Sequence, residues 1–514
     1  MLILVTCLLL FITALVLMVL RITQPNARYA WMIATVGALL AFASVFLWLT
    51  QMPFEFSFPA WEPQTLFTTP VLFRADGVSW ALAISVTALP LAILLTSVTR
   101  PVFTNSLSWA GILTLCGMGI LAVTADNPLS LLLMWAFLDL TELFSQLSSV
   151  NGEQKSERVV ISFATHMLGL SLLLWAYIAS FSNGSALVFQ SMPSSAGIFL
   201  VIAAGLRLGV LPLHLPYSSD TFLRRGLGTA LRLIGAISTL GILGRIQITT
   251  SGFTLALTAL TAAAAIYGGW MWLRAPDELN GRPYWIIGIA SLAVLSTLSG
   301  NPIGAIAWGS AMILVGSVLF LSSVQNLRLN RFLPIGAWSL SSLPFSLTAS
   351  AWMGRLGLIV PFALAAQALM TAGFIRHALR TNGDESLDDQ PGWTKAVYPS
   401  GIILILVLPL LMGFIGWDGA LQIGNWIQAL IASLLTLGLV WGARRFRIFS
   451  PIRAHWVTTA GAGVNSLYQW LWSIYRGLAR ISQAITDTLE GEGGIMWTLL
   501  FLVLFILLII RGTQ

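Results

Sequence analysis

Long apolar runs, interrupted at short intervals by charged, Pro, Gly or Asn positions, dominate the chain and predict membrane-spanning helices. They fall at 2–20, 30–50, 77–98, 107–124, 128–149, 159–181, 196–213 and 227–246. They continue at 252–273, 284–300, 303–324, 334–350, 355–377, 399–417, 420–442 and 495–511. That makes about 16 candidate spans, each near the roughly 20 residues that cross a bilayer core. The first has only Met1 before it and no small-residue cleavage site before Arg21, so it reads as a retained span rather than a signal peptide. After Trp441 the pattern changes. Trp456, Leu467, Trp470, Leu471, Ile474, Leu478, Ile481 and Ile485 recur at three-and-four spacing among Arg476, Arg480 and Asp487. This predicts a short amphipathic lateral helix within 452–494, lying along the cytoplasmic surface or against a partner, before the last span.

Composition agrees with the pattern. Of 514 residues, 57% are hydrophobic and only 9% charged, against about 25% charged in a soluble chain. The expected fold class is an all-α polytopic membrane protein, and a single anchor with a soluble domain is excluded. Cys7 and Cys116 sit inside apolar runs, which leaves no CxxC motif, thiolate metal site or disulfide framework. No Gly-rich βαβ fingerprint for NADH or flavin is present, and two cysteines are too few for iron–sulfur ligation. No cofactor and no metal are expected.

The net charge of +7 invites a nucleic-acid reading, but the order of the charges argues against it. Arg21, Arg28, Arg100, Lys155, Arg158, Arg224, Arg225, Arg274, Arg282, Arg328, Arg331, Arg376, Arg380, Lys395, Arg444, Arg445, Arg447, Arg453, Arg476 and Arg480 fall on one set of alternate connections. The opposite set carries Glu55, Glu62, Asp126 and Asp418, with Arg74, Arg245, Arg355 and Arg511 near helix ends. By the positive-inside rule the first set is cytoplasmic and the N-terminus lies outside, in a bacterial inner membrane or an equivalent energy-transducing membrane. The 21 Trp read as interfacial anchors and packing. Gly205 with Gly209, and Gly438 with Gly442, read as small-residue spacings that let helices approach.

A charge at mid-bilayer costs from about 3 to more than about 10 kcal/mol, so each one needs a reason. In the fifth run Asp139, Glu142, Gln146 and Ser149 share one helical face. The seventh holds Arg207 and ends in GVLPLHLP, with His214 between Pro212 and Pro216. Asp139 and Arg207 each lie about 11 residues, roughly 16 Å, from the outer start of their spans, so an ion pair between them is allowed. Such a pair serves equally as a lock between helices or as part of a relay. Glu142 then requires a second cation, water or a proton. Arg232 reads as snorkelling to the cytoplasmic interface and His166 as a hydrogen-bonded packing residue. Arg355 follows the broken stretch SLSSLPFSLTASAWMGR, and breaks near Pro212 and Pro344 suggest the paired discontinuous helices of transporters built on inverted repeats.

At these residues the chain resembles the antiporter-like membrane subunits of respiratory complex I (NADH:quinone oxidoreductase) and of Mrp-type sodium/proton antiporters. The segments that carry the resemblance are FRADGVS at 73–79, TADNPLSLLLMWAFLDL at 124–140, RLGVLPLHLPYSSD at 207–220 and SLSSLPFSLTASAWMGR at 339–355. The resemblance implies proton movement through a Glu on the fifth helix, a Lys on the seventh and a Lys or Glu on the twelfth. Here those positions hold Ala136, Arg207 and Arg355, and Trp is missing from LPYSSD. Lysine releases a proton readily when buried, whereas guanidinium effectively does not.

The domains read as N-terminal helices over 1–106, antiporter-like repeats over 107–250 and 251–380, C-terminal helices over 381–451, a lateral helix over 452–494 and a final span over 495–514. The expected role is a subunit of a larger complex that moves protons or sodium, with no catalytic chemistry of its own. The site candidates are Asp139, Glu142, Arg207, His214, Arg232 and Arg355. The expected partners are other membrane subunits, the lipid bilayer and a proton or sodium ion, without nucleic acid. The alternatives are a structural subunit that clamps its neighbours around a decayed channel, and the ion-coupling subunit of an inorganic-carbon uptake complex.

Overall fold

A computed structural model describes residues 1–24, 29–58, 70–100, 106–149, 153–182, 188–217, 225–246, 248, 252–324, 326–354, 357–380, 386–415, 417–421 and 424–446, with Ser473 and Arg480. The chain divides into a unit of Met1–Pro451 and a unit of Ile452–Gln514. In the second unit, Ser473 and Arg480 are helical. The rest of the expected surface helix, and the run at 495–511, lie outside the described residues.

The first unit is a helical bundle. Its helices are α1 (Leu2–Thr23), α2 (Ala30–Leu47), α3 (Gly77–Thr96), α4 (Ser106–Thr124), α5 (Pro128–Ser149), α6 (Glu153–Ser182), α7 (Ser194–Arg207) and α8 (Leu227–Leu243). They continue with α9 (Gly252–Arg274), α10 (Glu278–Leu298), α11 (Pro302–Leu321), the short α12 (Leu327–Phe332), α13 (Val360–Ala378), α14 (Gly392–Ile415), the four-residue α15 (Asp418–Leu421) and α16 (Trp426–Phe446). Among the described residues, 11 helices are long and apolar enough to cross a membrane, and α7 and α8 are shorter apolar helices. α10 spans 21 residues but carries Glu278 and Arg282.

Two expected spans are corrected in extent, each interrupted at a break expected near Pro212 or Pro344. The run at 196–213 is helical only to Arg207, because Gly209 takes a left-handed φ of +73° and turns the chain. The run at 334–350 is no α-helix. A 3-10 stretch, Leu333–Leu340, gives way to turns in which Ser342 and Phe345 also have positive φ. Side chains replace the missing ladder there. Thr348 donates to the Ser339 carbonyl at 2.9 Å, the Gln367 amide to the Leu340 carbonyl at 2.7 Å, and Asn301 to the Ser350 carbonyl at 2.7 Å. A freed carbonyl at membrane depth is tolerated only with such a partner.

The sequence pattern assigned no strands, yet β1 (Phe54–Ser57) and β2 (Leu72–Ala75) pair antiparallel, with Glu55 opposite Arg74. The hairpin leads straight into α3. There Asp76 caps the helix through the Ser79 backbone N–H, and the Ser79 hydroxyl accepts from the Asp76 N–H. This capping box is the local reason for the DGVS motif. Asn127 does the same for α5, accepting from the Ser130 N–H at 2.8 Å while its amide holds the Pro70 carbonyl at 2.7 Å.

α3 and α11 are almost wholly buried and pack on each other and on α8 and α14. Beside them Trp272, Trp285, Phe320 and Phe374 form a buried aromatic cluster. Helices at the margin, such as α1 and α16, expose one apolar face. The glycine spacings do not act as expected. A Cβ on Gly205 would meet Leu211 of its own turn, and one on Gly438 or Gly442 would meet nothing within 4 Å. The close helix contact is instead Gly268 of α9 against Gly288 of α10, where a Cβ would lie 2.6 Å from a backbone nitrogen.

Candidate intramembrane charge site

Five helices bring the charged residues together. α5 presents Asp139 and Glu142 one turn apart, and α6 presents His166. α7 ends at Arg207, whose stem passes Gly169 of α6 so closely that a Cβ there would lie 2.7 Å from Arg207 Cγ. α8 supplies Arg232 and Thr239, and α10 closes the inner side. The elbow at Gly209 stops α7 at this depth, which leaves Arg207 as its last helical residue.

Arg207 and Asp139 form a buried bidentate pair. Nη1 donates to Oδ2 and Nη2 to Oδ1, both at 2.7 Å, with side chains 2% and 1% exposed. The guanidinium also donates from Nε to Thr239 Oγ1 at 3.3 Å and from Nη1 to the His166 carbonyl at 3.4 Å. Its Cζ lies 4.3 Å from the centre of the Trp135 ring. His166 Nδ1 stands 3.0 Å from Asp139 Oδ1. This geometry is the strong form of an arginine–carboxylate contact and satisfies both charges inside the apolar interior.

The second pair is Glu142 with Arg232. Arg232 Nη1 donates to Glu142 Oε1, and the Gln146 amide donates to the same oxygen at 2.6 Å. Arg232 is buried and stacks 3.8 Å from the Tyr217 ring centre, so it does not snorkel to the interface as expected. A cavity separates the two pairs. Glu142, His166, Arg207, Tyr217, Arg232 and Thr239 line it. It offers about 20 Å³ to water centres, against the ~10–15 Å³ that one water needs, so it has room for about one.

Toward the end that carries Arg225 and Glu278 the charges continue. Arg282 lies within α10, buried rather than in a connection as its place in the charge pattern suggested, and donates to Thr229 at 3.0 Å. Arg225 donates to Glu278 at 2.5 Å. At the opposite end Arg245 is paired with Asp126 at 2.7 Å and with Asp76 at 3.3 Å, and Arg74 leads from Asp76 to the exposed Glu55. There burial outweighs the neighbouring guanidinium groups and raises the Asp126 carboxyl above its ordinary 3.8.

Of the sequence candidates, the structure gathers Asp139, Glu142, Arg207 and Arg232. His214 sits apart from them. Its Nδ1 faces the Pro212 carbonyl at 2.8 Å, and among the described residues its buried Nε2 has no hydrogen-bond partner and it makes no hydrogen bond to the four. Arg355 lies outside the described residues. Trp135, Thr239 and Tyr217 were missed. The first two were readable from helical spacing, because Trp135 stands four residues before Asp139 and Thr239 seven after Arg232.

No protein-family model and no curated protein sequence matches the chain. Solved structures do. A chain of the Mrp complex from a Dietzia species aligns over 100% of this chain with a TM-score of 0.68 at 16% identity, and this chain spans 63% of that one. A chain of the membrane-bound sulfane sulfur reductase, an archaeal respiratory membrane complex, aligns over 98% of this chain and 99% of its own length with a TM-score of 0.64 at 12% identity. A chain of respiratory complex I from Thermus thermophilus aligns over 86% and 100%, with a TM-score of 0.63 at 17% identity. The chain thus has the fold of the antiporter-like membrane subunits of Mrp, sulfane sulfur reductase and complex I assemblies.

Proposed function

We propose that the chain works as one membrane subunit of a larger Mrp-like or complex I-like assembly and passes protons through the site around Asp139 and Glu142. The supporting observation is the cavity between the two acid–arginine pairs, with room for about one water. A sodium ion would have to shed its hydration there and sit between two guanidinium groups. A proton needs only a hydrogen-bonded water and a group to receive it. Arg207 and Arg232 act as fixed charges, since arginine stays protonated. Glu142, the less buried of the two acids, leads with Gln146 toward the cytoplasmic end. The breaks after Arg207 and after Leu340 stand as counterparts in two inverted repeats.

The test is proton flux into vesicles carrying the assembled complex, followed with a pH-sensitive dye. Glu142→Gln keeps the shape and removes the charge, and it should reduce flux at least tenfold while assembly persists. Unchanged flux would sink the reading. It would favour the second one, a structural subunit, which draws support from the bidentate Asp139–Arg207 lock.

Orientation is proposed from the charge pattern, with the N-terminus outside. Both native cysteines are buried, so they contribute little labelling background. A membrane-impermeant maleimide should label Gln51→Cys in intact cells and Gln24→Cys only after permeabilisation. The reverse pattern would invert the topology.

A further inference from the structure

We infer that His166, on α6, is the group that takes up and gives back the proton at this site. The inference rests on the translocation reading above and names its carrier. Three observations lead to it. His166 lines the cavity and is more exposed than the pair it adjoins, at 12% against 1% for Asp139 and 2% for Arg207. Its Nδ1 lies 3.0 Å from a carboxylate whose two oxygens are both already held by Arg207, so that carboxylate stays anionic and orients the ring. Its own carbonyl accepts from Arg207, which ties the position of α6 to the same guanidinium.

The other cavity groups fit the task less well. Arg207 and Arg232 hold their protons permanently, a phenol such as Tyr217 ordinarily releases its proton only near pH ~10, and Glu142 is pinned by Arg232 and Gln146. An imidazole is the side chain suited to gain and lose a proton near neutrality. The step balances simply. Neutral His166, donating from Nδ1 to Asp139, accepts a proton at Nε2 from a cavity water that has itself received one. The resulting imidazolium remains paired with Asp139, and the proton returns to a water on release. The net charge of Asp139, Arg207 and His166 changes from zero to +1 and back. The charged and titratable groups facing His166 are Asp139 and Glu142 from α5, Arg207 from α7, and Arg232 from α8 across the cavity, with Tyr217 beside it. His214 lies beyond the α7 break, with its Nδ1 facing the Pro212 carbonyl.

The experiment compares wild type and His166→Gln in the assembled complex reconstituted into vesicles. Glutamine can still donate to Asp139 but cannot carry a proton. Flux should fall at least tenfold, and the dependence of flux on pH should lose one titration step. If wild type itself passes no protons, the translocation reading fails. If wild type conducts and His166→Gln conducts with the same pH profile, the assignment of His166 is overturned while that reading stands. A second measurement covers failure of the variant to assemble. The chain has four histidines, and His214→Gln/His377→Gln/His455→Gln leaves His166 alone. Labelled with 15N-histidine in the complex, it should show one imidazole passing between neutral and cationic forms across the pH range of transport. An imidazole that stays in one form throughout would overturn the inference.

Discussion

Asp139→Leu should collapse the subunit, and adding Arg207→Met should restore it. The single change leaves Arg207, 2% exposed, without its carboxylate in an apolar interior. Breaking a buried pair by removing one partner costs about 3–5 kcal/mol, a large fraction of the ~5–15 kcal/mol that holds a typical domain together. The contacts to Thr239, the His166 carbonyl and Trp135 remain, but none neutralises the charge. In the double variant two apolar side chains of similar size replace the pair, an exchange that is often neutral. Thermal unfolding of the detergent-solubilised complex, read by size-exclusion, checks both. A single variant as stable as wild type would mean that Asp139 is not what makes Arg207 tolerable there. The double variant also separates lock from relay, since it should fold and carry no flux.

Gly209→Ala should be nearly as damaging. Gly209 has a φ of +73°, and a Cβ there would lie 2.3 Å from the His214 carbonyl oxygen and 3.0 Å from Pro216 Cδ. The left-handed conformation costs a residue with a side chain about 1–2 kcal/mol, and the clash with backbone adds an overpacking cost of about 1–3 kcal/mol. The elbow lies two residues after Arg207, so relief of the clash shifts the guanidinium away from Asp139. Flux and melting temperature should both drop. Gly438→Ala is the matched control, because it adds a methyl where nothing lies within 4 Å. If the two variants behave alike, the elbow is not what sets the end of α7.

The depth of the charges was legible from the chain because rise per residue converts position into height. The pairing of Asp139 with Arg207 was therefore allowed by depth, and the structure forms it. What depth cannot convey is which way a helix is rotated. Arg232 looked like a residue reaching for the interface, and only the packing of α8 against α5 turns it onto Glu142. His166 reads from the chain as hydrogen-bonded, and so it is, but only the packing supplies Asp139 as its partner. The run at 334–350 met every requirement of length and hydropathy for a span, yet Ser339, Thr348, Asn301 and Gln367 offer its backbone other partners. Hydropathy does not register such competition. The hairpin was missed because its strands are four residues each and far apart in the chain, with their register fixed by Glu55, Arg74 and the Asp76 cap.

α5 stands at the margin of the bundle, and opposite Asp139 its outer face exposes Phe137, Leu140 and Phe144. The buried charges are therefore screened from the surroundings by the thickness of one helix, about 10–12 Å. Whatever borders that face, acyl chains or the flank of an adjoining polypeptide, sets the permittivity felt by the pair. The same residues would be electrically retuned whenever that neighbour is exchanged, with no atom of the wall itself replaced.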